Sequence, residues 1–226
     1  MLRVTICAAL LLCGLSAGSA QAAEISASGK FSFKPLSIEG LVLRDRVVVG
    51  PAFAEKHSIK VAAPFEFKAP RIEGILRMAK FPAQLGQAYI KIVYGTPDEK
   101  FIESIQFNPF TLDPGPLEQR QQKLAGFLKT TVWAQITDGQ GERKIDALRG
   151  KRIGEFEAVE LIGRYVDVKD SANGTVLARV VGLMQPDSRH GLIATINIAT
   201  GMVEVTNDAQ MADTVSADIL ASVAFQ

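Results

Sequence analysis

The chain has 226 residues, a formal net charge of +1, 47% hydrophobic residues and 22% charged residues. This length is sufficient for one domain with its own core, without disulfide bonds to stabilise it. The near-neutral charge gives no electrostatic case for binding nucleic acid or for strong adhesion to an anionic membrane.

Residues 1–22 have the pattern of a secretory signal. Arg3 supplies the positive start, residues 4–15 form an apolar stretch too short to span a membrane, and Ala20-Gln21-Ala22 is a typical cleavage site. We therefore expect cleavage after Ala22 and a periplasmic or secreted mature chain that begins at Ala23. An alternative is a lipoprotein anchored at Cys13, but Leu12 stands where such a signal needs a small residue.

Both cysteines, Cys7 and Cys13, lie in this signal segment. A mature chain without cysteine has no disulfide, thiol catalysis or cysteine metal site. Removal of Arg3 leaves 24 basic and 24 acidic residues, so the mature chain is formally neutral. No other long apolar run is present, and we expect no transmembrane segment in the mature chain.

Residues 23–110 are predicted to be rich in β-strands. Residues 41–49 contain two apolar runs around Arg44-Asp45-Arg46, which fits either two short strands or a single strand with a charged bulge. Residues 74–81 and 88–94 alternate apolar and polar side chains and predict a hairpin. Residues 96–99 have the cap, the proline and the early acids of a short helix.

Residues 111–226 are predicted to form an α+β part that folds as one domain with the preceding region. Residues 108–116 hold three prolines and a glycine and are interpreted as a linker. Apolar residues at helical spacing predict a long helix over residues 116–136, with Trp133 at the edge of its apolar face. Residues 142–148 are predicted to form a strand that leads into the central hairpin.

The stretch 150–186 is predicted to be the hairpin around which the chain is organised. Residues 156–168 and 175–184 carry apolar side chains on both faces, which is typical of central strands. Asn173 and Gly174 tolerate the positive φ that the connecting turn needs. Residues 192–199 predict a further strand, 201–206 a continuation of the sheet, and 208–222 a single helix that begins with a capping box at Asn207 and Gln210.

Four segments resemble the PsbP-like fold superfamily: Gly150, Gly163-Arg164-Tyr165, residues 178–182, and a helix ending in a short strand over residues 218–225. The resemblance covers roughly the C-terminal third. That superfamily includes extrinsic photosystem proteins, a nuclear transport adaptor and small bacterial lipoproteins. The resemblance implies an α+β fold with an antiparallel β-sheet flanked by helices, and a binding or assembly role more often than catalysis.

No residue pattern indicates catalysis, a cofactor or a metal. The only histidines, His57 and His190, are far apart in the sequence, and Asp187, Ser188 and His190 share one loop rather than separate elements. There is no nucleotide-binding loop and no calcium loop motif. We predict a protein that is not an enzyme and has no cofactor.

Two functional hypotheses follow. The first is an exported binding or assembly module whose sheet face or basic stretch contacts another component of the cell envelope; the residues of the basic stretch are Arg143, Lys144, Arg149, Lys151 and Arg152. The second is an envelope hydrolase or small-ligand carrier with a pocket between sheet and helix, whose candidate residues are Arg164, Arg179 and His190. A solvated surface is the ordinary role of such basic residues.

Overall fold

The computed structural model describes residues 24–26, 28–33, 44–185 and 187–226. The segment predicted to be a signal, residues 1–22 with both cysteines, lies outside these ranges. The strands are β1 (Glu24–Ile25), β2 (Phe31–Ser32), β3 (Arg44–Val49), β4 (Phe65–Pro70), β5 (Leu76–Lys80), β6 (Ile90–Gly95), β7 (Phe101–Thr111), β8 (Arg143–Ile153), β9 (Phe156–Val166), β10 (Thr175–Met184), β11 (His190–Ala199) and β12 (Ala224–Phe225). The α-helices are α1 (Pro51–His57), α2 (Pro82–Leu85), α3 (Leu117–Phe127), α4 (Trp133–Ile136), α5 (Asp208–Met211) and α6 (Val215–Ala221).

Seven antiparallel strands form the main sheet in the order β5-β6-β7-β11-β10-β9-β8. A smaller sheet has the order β12-β4-β3, and β1 pairs with β2. The main sheet takes β5, β6 and β7 from the 23–110 part and β8 to β11 from the 111–226 part, apart from the last residue of β7. The predicted α+β architecture with an antiparallel sheet and flanking helices is confirmed.

The main sheet separates two apolar cores. On one face, here called the helix face, it packs against α3 and α4, which are joined by a π turn at Leu128–Val132. On the opposite face it packs against the smaller sheet and α6. The central hairpin follows the predicted alternation, with Val159 and Leu161 on the helix face and Ala158 and Ile162 on the opposite face. Of the two turn residues predicted to tolerate a positive φ, Gly174 has one, at +60°, and Asn173 does not.

Two glycines allow the helix to lie close to the sheet. A Cβ atom at Gly163 would stand 2.5 Å from the Trp133 ring, and one at Gly182 would stand 2.8 Å from a Leu124 methyl group. Trp133 is therefore buried in the core rather than at its edge, with 7% of its surface exposed. The π turn explains the difference, because it adds a residue to the helical repeat and rotates Trp133 towards the sheet.

Two predictions around β7 are wrong. Residues 96–99 form the turn between β6 and β7 rather than a helix, since Glu99 has φ +63° and the amide of Thr96 bonds the carbonyl of Lys100. The predicted 108–116 linker begins with four residues of β7. Pro109 is tolerated there because β6 pairs no further than Phe107, so the missing N–H faces an unpaired edge.

The C-terminal region also differs from its prediction. Residues 201–206 are not a strand of the main sheet; they make backbone bonds to Phe31 instead. The predicted 208–222 helix is two short helices, because Thr214 caps the start of α6 through a bond from the amide of Ala217. The predicted cap at Asn207 is confirmed, as its side chain accepts from the amide of Gln210. The helix-to-strand ending is present as α6 and β12.

Other predicted strands are present, but they begin or end at different residues. The hairpin predicted over 74–94 is β5 and β6, and α2 lies in its loop. In the 41–49 segment, residues 44–49 form the strand β3, so Arg44-Asp45-Arg46 belongs to a strand rather than to a turn, and residues 41–43 lie outside the described ranges. The strand predicted to begin at 142 runs to Ile153 and pairs with β9 along its length. Among the described residues, no helix has the length and apolar character needed to cross a bilayer.

Candidate functional site

The helix covers only half of the helix face. The core residues under the helix come mainly from β9 and β10, with Ile193 of β11 and Phe110 at the end of β7, while β5, β6 and the rest of β7 extend beyond it. Leu76 and Met78 on the outermost strand are exposed on 42% and 46% of their surfaces. The helix thus forms one wall and the uncovered strands form the floor of an open groove.

This groove has a volume of about 530 Å³. The residues that line it are uncharged, and most are amides, hydroxyls or apolar side chains: Gln87, Gln106, Asn108, Pro109, Phe127, Thr131, Val132, Gln135, Ile136, Tyr165, Ile193, Thr195 and Asn197. We call it the helix–sheet groove.

The polar side chains of the groove keep unused hydrogen-bonding capacity. Gln106 donates from Nε2 to Oδ1 of Asn108 at 2.8 Å. The Tyr165 hydroxyl lies 3.5 Å from Oδ1 of Asn197, a long contact for a hydrogen bond. A carboxamide offers two donor hydrogens and an acceptor oxygen, so these contacts use only part of what the side chains provide. The groove can therefore bind a ligand that both donates and accepts hydrogen bonds.

Tyr165 stays protonated at any ordinary pH. Burial raises its pKa to about 12, and the nearby charge of Asp167 acts in the same direction. Its hydroxyl is therefore a permanent donor at the end of the groove.

The five basic residues predicted to bind a partner all lie on the edge strand β8, but they do not share one face. Arg143 donates to the Thr137 hydroxyl at the end of the helix, at 3.3 Å. Lys144 lies opposite Arg164 and is 3.5 Å from Asp146. Arg152 lies opposite Glu157. Because successive side chains of a strand point to opposite faces, this register puts Arg143 and Arg152 on the helix face and Lys144, Arg149 and Lys151 on the opposite face.

Arg149 and Lys151 are the exposed members of an ionic cluster on the opposite face. Its centre is Glu160, of which 1% is exposed, and the third cation is Arg179. The distances to the Glu160 carboxylate are 2.8 Å from Arg149, 3.2 Å from Lys151 and 2.7 Å from Arg179. Burial acts to raise the pKa of Glu160, but the charge of Arg179 and the bond from Arg149 outweigh it and hold that pKa below its usual range.

The three residues proposed for a pocket are not brought together. Arg164 and Arg179 lie on the same face but not opposite each other, since Arg164 pairs with Leu177 and Arg179 with Ile162. His190 begins β11, and its Nδ1 is 3.4 Å from the Thr111 hydroxyl. It lies six residues along the strand from the partner of Arg179, a separation of about 20 Å.

A second, smaller groove of about 390 Å³ lies on the opposite face. It is lined by Arg164, Asp146 and Lys30 together with residues from β10 and the segment before α5. Arg164 donates to Asp146 at 2.8 Å, so the main charges of this groove neutralise each other. The described ranges contain no group of three side chains that could hold a metal ion.

The groove residues were missed in the sequence, although a signal for them exists. In β7, the polar residues Ser104, Gln106 and Asn108 alternate with apolar ones. In β11, Thr195 and Asn197 do the same. Such alternation is typical of a sheet face in contact with water. The pairing of Gln106 with Thr195 joins positions far apart in the chain, which the pattern alone does not reveal.

No family model and no curated protein sequence matches the chain. Solved structures do. Cyanobacterial PsbP (CyanoP) from Synechocystis sp. PCC 6803 has 8% identity and a TM-score of 0.47, over 84% of this chain and 98% of that one. LpqN of Mycobacterium tuberculosis, described as involved in cell envelope biogenesis, has 15% identity and a TM-score of 0.45, over 80% and 91%.

The Ran-binding protein Mog1p of Saccharomyces cerevisiae has 11% identity and a TM-score of 0.41, over 81% of this chain and 95% of that one. Similarities at this level concern the fold alone. The matched region spans most of this chain, whereas the resemblance seen in the sequence covers roughly the C-terminal third.

Proposed function

We propose that this chain is an exported, non-enzymatic binding protein of the cell envelope, and that its ligand occupies the helix–sheet groove. The observation that carries the proposal is the groove itself, an open cleft of about 530 Å³ beside an exposed half-sheet. Ligand sites are generally concave, few per protein and largely pre-formed. The signal pattern of residues 1–22 supports export.

The lining of the groove indicates the chemistry of the ligand. Carboxamides and hydroxyls line it together with the rings of Phe127 and Tyr165, and none of the lining residues is charged. Hydroxyl groups of a ligand donate and accept hydrogen bonds, as amides and hydroxyls of the protein do. A hydroxyl-rich molecule such as a saccharide therefore fits the groove better than a purely apolar one.

Binding can be tested with two matched glutamine variants. Gln135 on α4 lines the groove, whereas Gln122 on α3 is exposed outside it. We expect neutral oligosaccharides to shift the NMR signals of the Gln106, Asn108 and Asn197 side-chain amides. Gln135→Ala should lower the affinity about threefold to tenfold, as expected for one hydrogen bond, and Gln122→Ala should not. Unshifted groove amides with every saccharide would contradict this ligand class.

Export can be tested separately with the full chain. Expression in a bacterium with a periplasm, followed by fractionation and N-terminal sequencing, should give a periplasmic protein that begins at Ala23. An uncleaved cytoplasmic product would contradict export, and a lipid-modified Cys13 would favour the lipoprotein alternative.

The edge strand β8 supports a second candidate function, the docking of an acidic partner segment. This strand has eleven residues, and no described strand pairs with its outer side. Such an edge can add a strand from another protein. Its charged residues are five bases and Asp146, so two copies of β8 would repel each other while an acidic segment would be attracted.

The test of this second candidate avoids Arg149 and Lys151, because they bond Glu160. A double variant Lys144→Glu/Arg152→Glu changes exposed positions of the same strand. A polyglutamate peptide should bind the wild-type protein and a Lys123→Glu/Lys129→Glu control on the helix, but not the double variant. Equal binding by all three proteins would exclude β8 as the docking edge.

A further inference from the structure

Two lysines extend the floor of the helix–sheet groove. Lys80 on β5 lies directly opposite Lys91 on β6, and Lys91 lies directly opposite Gln106 on β7. Gln106 and its next partner Thr195 both line the groove. Neighbouring strands are about 5 Å apart, so the two ammonium groups are within side-chain reach of the groove.

Both lysines point to the same side as the groove. On β6 the residues Ile90, Ile92 and Tyr94 belong to the core of the opposite face. Alternation along the strand therefore places Lys91 on the helix face, and Lys80, as its direct cross-strand partner, is on that face too.

No acidic residue in the described part of the chain neutralises this pair. Within the described ranges neither lysine takes part in an ion pair. The other helix-face positions of β5, β6 and β7 are also not acidic: Leu76, Met78, Val93, Ser104, Gln106 and Asn108. Like charges directly opposite each other in a sheet are destabilising. Burial, followed by the charge of Lys80, lowers the pKa of Lys91, which agrees with an uncompensated cation.

A further polar group next to the lysines is also unengaged. Ser104 lies one helix-face position along β7 from Gln106, opposite Val93 and Asn197. It is 1% exposed, and its hydroxyl has no hydrogen-bond partner in the part of the chain that the structure describes. This end of the floor thus combines the amides of the groove with two cations that form no ion pair within the described ranges, and a buried hydroxyl without a partner lies beside them.

We propose that the ligand of the groove is an acidic saccharide whose carboxylate or phosphate group is held by Lys80 and Lys91, while its hydroxyls bond the amides of Gln106, Asn108 and Asn197. This inference rests on the proposed binding function and assigns its ligand class. The anion is bound by charge attraction at the β5–β6 end, and the neutral groove orients the ring.

Three probes with the same ring test the assignment: glucose, glucuronate and glucose 6-phosphate, titrated into the labelled mature protein at low ionic strength. The two acidic sugars should bind about tenfold more tightly than glucose, the change expected for one charge-assisted hydrogen bond. Comparison of the two distinguishes a carboxylate from a phosphate ligand. Lys91→Gln should remove most of the difference, whereas Lys123→Gln, on the outer surface of α3, should not.

The outcomes separate the two proposals. Equal affinity for all three sugars, or an acidic preference that survives in the Lys80→Gln/Lys91→Gln variant, would overturn the lysine assignment and leave the groove as a binding site. Inorganic phosphate that binds as tightly as glucose 6-phosphate would overturn the saccharide assignment. Groove amides unshifted by every probe would contradict both proposals.

Discussion

Polar side chains on the two faces of the main sheet differ in how completely they are paired. On the opposite face, Glu160 is enclosed by Arg149, Lys151 and Arg179, and each charge has a partner. On the helix face, the amides and hydroxyls of the groove are neutral and only partly engaged, and Lys80 and Lys91 take part in no ion pair within the described ranges.

This difference separates structural polar groups from groups available to a ligand. A buried charge must be neutralised within the protein, because an unpaired one costs several kcal/mol. Partly exposed amides carry no such requirement, since water can satisfy them until a ligand replaces it. Substitutions on the opposite face should therefore change stability, and substitutions in the groove should change binding.

The largest loss of stability is expected for Glu160→Gln. It leaves Arg179, with 7% of its side chain exposed, as an uncompensated buried cation. Loss of one partner from such a cluster costs about 3–5 kcal/mol, measurable by urea unfolding at neutral pH. Asp98→Asn is the control, because the ion pair of Asp98 with Lys100 is exposed and should contribute little. A Glu160→Gln variant as stable as the control would show that the cluster is not structural.

The lowered pKa of Glu160 also predicts that the free energy of unfolding depends on pH in the acidic range. Its pKa is lowered in the folded protein, so its contribution is fully present above the ordinary value of 4.5 and is lost as the pH falls through the lowered value. The wild-type protein should therefore lose more stability on acidification than Glu160→Gln does.

Glu103 should give the opposite dependence on pH. Its Oε1 accepts from the amide of Ser216 at 2.8 Å, and its side chain is fully buried. Burial raises its pKa to about 8, against the opposing effect of that hydrogen bond. The contribution of Glu103 to stability is therefore fully present below the ordinary pKa of 4.5 and is lost as the pH rises to about 8, by roughly 4 kcal/mol.

The check is urea unfolding between mildly acidic and mildly alkaline pH. Glu103→Gln keeps an acceptor for the Ser216 amide but cannot ionise, so its stability should stay level over this range. Glu118→Gln, an exposed position at the start of α3, should follow the wild-type curve. Parallel curves for wild type and Glu103→Gln would mean that Glu103 is ionised in the folded protein.

A smaller loss of stability is expected for a substitution at Gly163, where the helix packs closely on the sheet. Gly163→Ala places a Cβ atom 2.5 Å from the Trp133 ring and 2.6 Å from the Lys144 carbonyl oxygen, so the helix and β8 must both move. Overpacking of this kind costs about 1–3 kcal/mol. Gly126→Ala on the helix itself meets no atom within 4 Å and should be neutral or stabilising. Thermal unfolding of the two variants compares them directly, and equal midpoints would exclude close packing at Gly163.

The central elements could be predicted because their signals are local. Residues 156–166 and 175–184 are apolar on both faces and flank a turn that ends in Gly174, which predicts a central hairpin. The long helix could be predicted from the helical spacing of its apolar residues. The π turn that buries Trp133 does not disturb this spacing and could not be predicted from it. The break before α6 depends on the Thr214 cap, which the apolar stripe through this region concealed.

The candidate site could not be predicted because it depends on pairing between distant strands. In the sequence, Arg149 and Lys151 form part of a basic stretch; only the β8–β9 register shows that Glu160 lies opposite Arg149 and within bonding distance of both cations. Lys80, Lys91, Gln106 and Thr195 form one row only through three successive strand pairings, the last of which joins residues 106 and 195. Sequence alternation can show that a strand has a polar face, but not which other polar faces lie beside it.

The smallest change in stability is expected for Tyr165→Phe, and it gives the sharpest comparison of the two faces. The hydroxyl lost is in the groove and makes only a 3.5 Å contact with Asn197, so the free energy of unfolding should change by less than about 1 kcal/mol. Affinity for glucuronate should nevertheless fall several-fold. Tyr89→Phe is the matched control, because its hydroxyl accepts from the backbone amide of Ala62 at 3.0 Å and its side chain packs in the core of the opposite face.

Removal of the Tyr89 hydroxyl leaves a partly buried amide without its acceptor, which should cost about 1–2 kcal/mol and leave binding unchanged. The two tyrosines should thus show reversed effects, one on binding and the other on stability. If Tyr165→Phe instead lowered stability as much as Tyr89→Phe and left the affinity intact, the polar groups of the groove would be as structural as those of the opposite face.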